Sequence, residues 1–529
     1  MVKQRNLSLF PKLAYQDPNS GLEYQYLGRQ GLEIVNKLIE QYRYYDGQHW
    51  IDSAGREVTP ERLKASNNLD YQPTMLTANL TAWFIDRLAA FMFERSIGLA
   101  CTAEQIDDSA DMAKPDYQPS DAQQKASDVA GSREYLLYRI KKANLLDEKL
   151  LKAAADYHIG GAVCAKLHYD PRLGLRVIWR PRLEFWPIYD ADDVDLLEKI
   201  HFTAFIDEDT IWKQSCWLQD GSCWMEEALY DTQLKLKEQL VAPTDLKLPF
   251  IPVEIFNRGG LTGETEGRSL VDVLKGLNEE IEAKLSDNAD SLRFGMFAIK
   301  VILNAMLPSA EDIKAGTAEP LHIAPNALWS LTSDGETQAD AKTLEHNFNY
   351  KEALKDHLDT ALHLMHRLAN VPEMSPERVT GLGNMSGFAL RILYGPIISE
   401  TNKSMTTWKP RLQRLFGKAL FMLNKFETRN HYDQSWISDA DLGAILPGDL
   451  DDIVEVKTSM PIPENETEAL ERETKKVAVY LESLKGAMDA LGVENPEAKL
   501  AEILSEKAAL RESLGGVADE PGEGGGDGE

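Results

Sequence analysis

Apolar residues at Leu270, Val273, Leu274, Leu277, Ile281, Leu285 and Leu292 recur at helical spacing. They predict an amphipathic helix in the stretch that opens at Glu266. A β-like segment follows, interrupted by Pro308, Pro320 and Pro325. A second helix is predicted from about Ala341 to Asn370, with Leu344, Phe348, Leu354, Leu358, Leu362, Met365 and Leu368 on one side. The breaker-rich loop Pro372–Asn384 separates it from a third, SGFALRILYGPIISETNKSMTTWKPRLQRLFGKALFMLNKF. Pro410 has no N–H and its ring clashes with the preceding turn, and Gly395-Pro396 is a second weak point. The third helix is therefore expected to bend or break at these places. Helix, small β module, helix, loop and long helix suit a protein that repeats around an axis and holds something in the middle.

Upstream, residues 27–50 read as a helix closed by the Asp46-Gly47 turn, and Leu76–Ser96 is apolar nearly all round, as a buried helix would be. Residues 101–132 carry few large apolar side chains and two prolines, which reads as an exposed loop. Helix resumes at Arg133–His158, with a turn at Asn144. From Gly160 the period becomes two and strands are expected. Asp220-Gly221 is a hairpin signal that sets Trp217 opposite Trp224, Cys216 opposite Met225 and Cys223 opposite Leu218. A disulfide between Cys216 and Cys223 would need that register to slip, so both thiols are expected to be reduced. Residues 427–463 look β-rich and acidic. Helices are expected at Glu464–Leu491 and Pro496–Leu514, and the Gly-rich acidic end has almost nothing to bury, so it should be disordered.

The 529 residues are enough for two to four structural units. No apolar run reaches the ~18 residues needed to span a bilayer, and the basic N-terminus has no apolar core of a signal peptide. Four cysteines without CxxC spacing favour a reducing compartment. The net charge of −28 argues against a surface that grips phosphates and is compatible with a wall past which DNA slides.

No phosphate-binding loop, nucleophile elbow or HExxH is present. The Gly-rich Asn257–Gly267 segment reads as a hinge. His363 and His366, with Asp359 one turn away, have metal-ligand spacing, but packing or interface histidines fit better. The pairs Asp107-Asp108, Asp192-Asp193 and Asp451-Asp452 could serve as general acid and base, or be solvated loops. No catalytic residue, metal site or cofactor is expected.

The order of elements resembles the portal proteins of tailed phages, in particular the Gp6-like portals of siphophages. The matching stretches are Tyr44–Trp50, Asn79 with Asp86 and Phe91, Asn144, Gly160-Gly161, Pro181, Ile188–Asp192, Ile251–Gly260, Leu277–Asp290, Asn384–Ile397 and Met460–Glu468. No single motif is specific; their order and spacing are.

The resemblance implies an α+β portal fold that forms a ring, usually a dodecamer. A wing would comprise 1–266 and 426–463, a two-helix stem 267–298 and 341–371, a small β-containing clip 299–340, a tunnel loop 372–384, a long kinked helix 385–425 and a helical crown 464–514, ahead of a disordered acidic tail at 515–529. The clip is too short to bury a core alone, so its strands are expected to pair with those of neighbouring subunits. The ring would sit at one capsid vertex of a virion assembled in the host cytoplasm. Double-stranded DNA would pass through it during packaging and ejection. The terminase large subunit, major capsid and scaffolding proteins and a head-completion or tail adaptor would be its partners, with no membrane. Glu377, Arg378, Val379, Leu382 and Asn384 would line the tunnel loop, and Lys284, Arg293, Lys351 and Lys355 are candidate basic channel residues. A different head–tail connector, a minor capsid protein or a hydrolase with paired carboxylates are the alternatives.

Overall fold

The computed structural model describes residues 29–51, 56, 73–108, 117–231, 235–296, 299–303, 305–306, 310–314, 332–333, 340–344, 349–373, 391–426, 442–461, 466–479, 481, 483–493, 499–500 and 502–507. In chain order the principal elements are α1 (Arg29–Tyr45), α2 (Leu80–Phe93), β1 (Gly98–Cys101), α3 (Asp121–Ala143), α4 (Leu146–Gly160), β2 (Ala162–Asp170) and β3 (Gly174–Pro181). Next come β4 (Phe185–Tyr189), β5 (Leu197–Asp207), β6 (Thr210–Gln219), β7 (Ser222–Tyr230), β8 (Leu236–Asp245), β9 (Val253–Asn257) and α5 (Leu270–Met296). The remainder are β10 (Ile299–Leu303), β11 (Ala305–Met306), α6 (Ala310–Lys314), β12 (Thr332–Ser333), β13 (Asp340–Leu344), α7 (Lys351–Leu368), α8 (Gly395–Lys425), β14 (Val454–Lys457), α9 (Glu466–Ala478) and α10 (Leu484–Ala490).

The chain forms two units. The larger comprises Met1–Tyr42, Phe84–Leu270 and Asn370–Glu529, and the smaller Arg43–Trp83 and Val271–Ala369.

In the larger unit an antiparallel sheet runs β4-β5-β6-β7-β8, a second runs β3-β2-β9, and β1 pairs with β14. The hairpin forms in the expected register, with Trp217 opposite Trp224. Asp220 (φ +52°) and Gly221 (φ +76°) both take the left-handed conformation, which matches the strand twist. All four cysteines are free thiols. Cys216 lies opposite Met225 and Cys223 opposite Leu218, as the turn predicts, and both thiols are free. The core gathers on Trp408 of α8, which meets Phe93, Tyr157, Trp179 and Phe256 with ring centroids 4.4–5.7 Å away. Trp408, Leu412, Leu415, Ala419 and Leu423 recur every three or four residues and are fully buried, which is why α8 threads this core.

Lys166 of β2 is buried there, donating to Gln214 Oε1 at 2.6 Å, with its ammonium over Phe202 and Trp212. Burial, then the charge of Arg180, lowers its pKa from 10.5 to about 8. Between those values the unfolded chain holds the proton more tightly, so folding becomes more favourable as pH rises. Lys166→Met is expected to be the more stable protein below about pH 8, with the gap closing toward pH 10.5; denaturant midpoints across that range check it.

Several boundaries differ from expectation. Residues 121–132, read as part of a polar loop, are the first half of α3; Ser120 caps it by accepting from Gln123 N. Leu145, at φ +50°, makes the expected turn after Asn144. β8 was not foreseen: it is an exposed edge strand without apolar alternation. Residues 341–344, placed in the second helix, belong to strand β13, and α7 begins only at Lys351. β13 pairs antiparallel with β10 of the same chain over five residues on each side. The helix expected over Glu464–Leu491 is divided into α9 and α10. Between 427 and 463 the described residues contain one strand, β14; residues 427–441 and the acidic tail lie outside them.

Candidate functional site

In the smaller unit, α5 carries a polar residue every fourth position, and each is buried: Asn278, Glu282, Ser286 and Asp290. Together they hold the backbone of residues 74–81, which runs from an irregular stretch into the first turn of α2. Asn278 Oδ1 accepts from Thr81 N at 3.0 Å, and Glu282 Oε1 accepts from Ala78 N at 2.9 Å. Ser286 Oγ accepts from Leu76 N at 3.0 Å, and Asp290 accepts from Thr74 N at 3.1 Å and from its hydroxyl at 2.6 Å. Glu282 also meets His49 Nδ1 at 2.5 Å, both side chains being fully buried, and Tyr44 stacks on the imidazole at 3.8 Å. Burial, then the charges of Glu282 and Glu279, pushes the Tyr44 phenol pKa far up, so it stays neutral. Sequence reasoning matched Tyr44–Trp50, Asn79 and Leu277–Asp290 as separate stretches. The structure brings them together.

This polar face replaces part of the predicted apolar one. Leu270, Leu274 and Ile281 are buried, but Val273 is 43% and Leu292 48% exposed; on α7, Leu364 is 41% and Leu368 49% exposed. Of the candidate channel residues, Lys284 pairs with Glu280 on its own helix at 3.6 Å. Arg293 in the last turn of α5, and Lys351 and Lys355 in the first turns of α7, are exposed and make no ion pair among the described residues. His366 packs edge-on against Trp83, and no metal-holding cluster occurs among the described residues.

In the larger unit, α8 starts at Gly395 with Pro396 in its first turn, after a helical turn at 391–393 interrupted at Tyr394. The predicted long helix over 385–425 is thus broken here, where Pro396 supplies no N–H and a helix start needs none. Pro410 lies inside α8 without interrupting it. Tyr394 is buried and stacks on Phe91 at 6.1 Å. Glu377, Arg378, Val379, Leu382 and Asn384 lie outside the described residues. Asn370, just ahead of that segment, takes the left-handed conformation (φ +54°) and donates to Glu400 Oε2 of α8 at 3.1 Å. Arg258 Nη2 meets the other oxygen of Glu400 at 3.2 Å. Sequence reasoning missed this group, because its members are scattered and no local pattern marks them.

Two of the acidic pairs are engaged structurally. Asp107 accepts from Ser120 and Tyr117, and these bonds lower its pKa; Asp451 forms a two-pronged pair with Arg414, which lowers its own. A carboxyl held ionised in this way is a poor general acid at neutral pH. A cavity of about 360 Å³ beside Arg411, Arg414 and Lys418 has its cations matched by Glu254, Asp195 and Asp451.

The chain is similar to a chain of the virion of a native gene transfer agent (GTA) particle, with 11% identity over 82% of this chain and 98% of that one and a TM-score of 0.34. It is likewise similar to a chain from the neck of an empty GTA particle computed with C6 symmetry, at 11% identity, the same coverage and a TM-score of 0.35. No curated protein matches it. Residues 26–512, nearly the whole length, match the family described as phage portal protein, SPP1 Gp6-like, and the chain belongs to that family.

Proposed function

We propose that this portal protein closes into a ring, a dodecamer, whose α5 and α7 helices line a channel for double-stranded DNA at one vertex of a virion. The observation that carries ring closure is the apolar surface these helices leave open in a single chain: Val273, Leu292, Leu364 and Leu368 are each more than 40% exposed. Packing them against a neighbouring subunit removes apolar area from water at about 25 cal/mol per Å². The terminase large subunit and later a head-completion or tail adaptor dock on the segment at 299–340, and the wing meets capsid and scaffolding protein. The ring assembles in the host cytoplasm and serves as structure, without catalysis of its own.

The overall charge of −28 suits a wall that does not hold its cargo. Sparse Lys284, Arg293, Lys351 and Lys355 supply weak, salt-sensitive attraction without sequence reading. The segment Pro372–Asn384 is the loop nearest the DNA: Arg378 and Asn384 contact the backbone, Val379 and Leu382 keep neighbouring loops in register, and Glu373 and Glu377 keep the grip weak. Replacing Glu377–Leu382 by a Gly/Ser segment tests this. Rings should still be seen in negative stain while terminase-driven packaging falls sharply. Normal packaging by the replaced loop would reduce it to a connector, and only monomer across concentration and salt would end the ring proposal.

A further inference from the structure

Leu145 stands where local rules disfavour a leucine. Its backbone is left-handed (φ +50°), it forms the N-cap of α4 without a side-chain capping bond, and it is 64% exposed. Asparagine would suit both the backbone and the cap. Strain of this kind persists where something beyond local stability uses the side chain. The surroundings are firmly built. Asn144 seals the outer edge of β3, donating to the Leu175 carbonyl at 3.0 Å and accepting from Val177 N at 2.8 Å. Lys149 Nζ donates to the Val177 carbonyl at 3.1 Å, and Arg176 Nη1 to the Ala143 carbonyl at 2.8 Å. The α3–α4 turn is thereby fixed beside the β2–β3 turn, where Leu173 is 54% exposed. Positive charge gathers here on Lys142, Lys149, Arg172 and Arg176; burial, then the charge of Arg176, lowers the Lys149 pKa. Neighbouring acids offset little of it, since Asp170 meets Arg172 only at 3.8 Å and Glu148 is engaged by Lys152.

The larger unit also carries the complementary surface. In the loop 190–196, Asp192, Asp193 and Asp195 are exposed together with Val194 and Leu196, the last at 50%. The loop is already shaped: Asp190 Oδ1 accepts from Asp192 N at 2.8 Å and Asp193 N at 3.0 Å, and Asp190 N donates to the Leu196 carbonyl at 2.9 Å. Little freedom is left for it to lose on binding. Asp195 meets Arg411 at 3.7 Å, and Arg411 bonds Glu254 of β9 at 3.5 Å, which sets the loop by β9. The sheet order β3-β2-β9 puts β3 and β9 at opposite edges. One edge thus shows leucines among cations, the other aliphatic residues among acids, and a head-to-tail ring needs two such unlike surfaces on each subunit. We infer that the loop 190–196 of one subunit docks on the α3–α4 and β2–β3 turns of a second copy, covering Leu145 and Leu173 and setting Asp192 and Asp193 against Lys142 and Arg172. This rests on the ring reading and adds which surfaces of neighbouring wings meet.

Full-chain variants test it through two readouts: the fraction of rings in negative stain across a salt and concentration series, and the denaturant midpoint of dilute protein. Leu145→Asn should keep or raise the midpoint, because it suits the cap, while lowering the ring fraction severalfold. The double variant Lys142→Glu/Arg172→Glu should lower the ring fraction, and so should Asp192→Lys, whose side chain holds no turn together. Joining all three charge reversals in one chain should restore rings toward the wild-type fraction, since opposite signs again face each other. Wild-type ring fractions in every variant overturn the inference. So does a fall of the Leu145→Asn midpoint, which would give the leucine to the fold alone. Reversals whose losses add instead of cancelling also overturn it, and leave the basic turn to a partner other than this loop. Absence of rings from the wild-type chain ends the ring reading and this inference with it, whereas rings indifferent to the variants end this inference only.

Discussion

Gly267→Ala is expected to prevent the larger unit from folding. A Cβ there would sit 1.7 Å from the Gly161 carbonyl oxygen and 2.9 Å from Arg258 N, both backbone atoms that cannot turn aside. The two glycines mark where the end of α4 crosses the segment leading into α5. Ser269 Oγ, donating to the Ile159 carbonyl, locks the same crossing. Separating these backbones would also break the Arg258 N to Gly161 O bond. The combined cost should exceed about 4 kcal/mol, the range reserved for overpacking with loss of buried partners. The protein should be recovered insoluble, or with its denaturant midpoint collapsed. Gly276→Ala is the control: it lies on the exposed face of α5 with nothing within 4 Å, and should gain up to about 1 kcal/mol of helix propensity. A soluble Gly267→Ala protein with a wild-type midpoint would mean that the crossing is looser than described.

Glu282→Ala should be the most damaging single change in the smaller unit. It leaves His49 Nδ1, Ala78 N and Asn278 Nδ2 without their shared acceptor, in a place where both His49 and Glu282 are fully buried. Breaking one side of a buried pair typically costs about 3–5 kcal/mol, more than the pair itself contributes, since the remaining group stays desolvated. The double variant His49→Ala/Glu282→Ala should consequently be less destabilised than the sum of the two single variants. Hydrogen exchange at Leu76, Ala78 and Thr81 should speed up most in Glu282→Ala, because those amides are held by the α5 ladder. Additive single effects, or unchanged protection of those amides, would remove the ladder from the account of what holds residues 74–81.

The positions that could be read in advance were those where a few neighbouring residues settle the outcome. Asp220-Gly221 can take the backbone twist that a two-residue hairpin demands, so the pairing of Trp217 with Trp224 followed from the turn alone. The start of α3 was equally local but passed over. Ser120, Asp121 and Gln123 form a helix-start signature, yet the stretch carried few apolar residues and was taken for a loop. Over residues 121–132 it buries only Gln123 and Ala130, too few to show as amphipathicity. The ladder on α5 left a trace as well, polar residues at every fourth position from Asn278 to Asp290. Reading it needed the thought that a helix can bury a polar face when an irregular stretch and the first turn of the next helix offer unpaired amides.

Of the candidate site, the residue types and their order were legible; what they touch was not. The sequence by itself determined the hairpin register and, through the order and spacing of its motifs, the portal family, because each depends on spacing along the chain. Only the tertiary structure decided that residues 340–344 pair as strand with β10, that Pro410 stays within α8, and that Arg258, Asn370 and Glu400 meet. Those outcomes depend on partners 30 to 142 residues away, as in the bonds Glu400 makes to Asn370 and Arg258. A local pattern carries no information about a partner that distant: whether a side chain is bonded, buried or exposed is set by which backbone folds back against it.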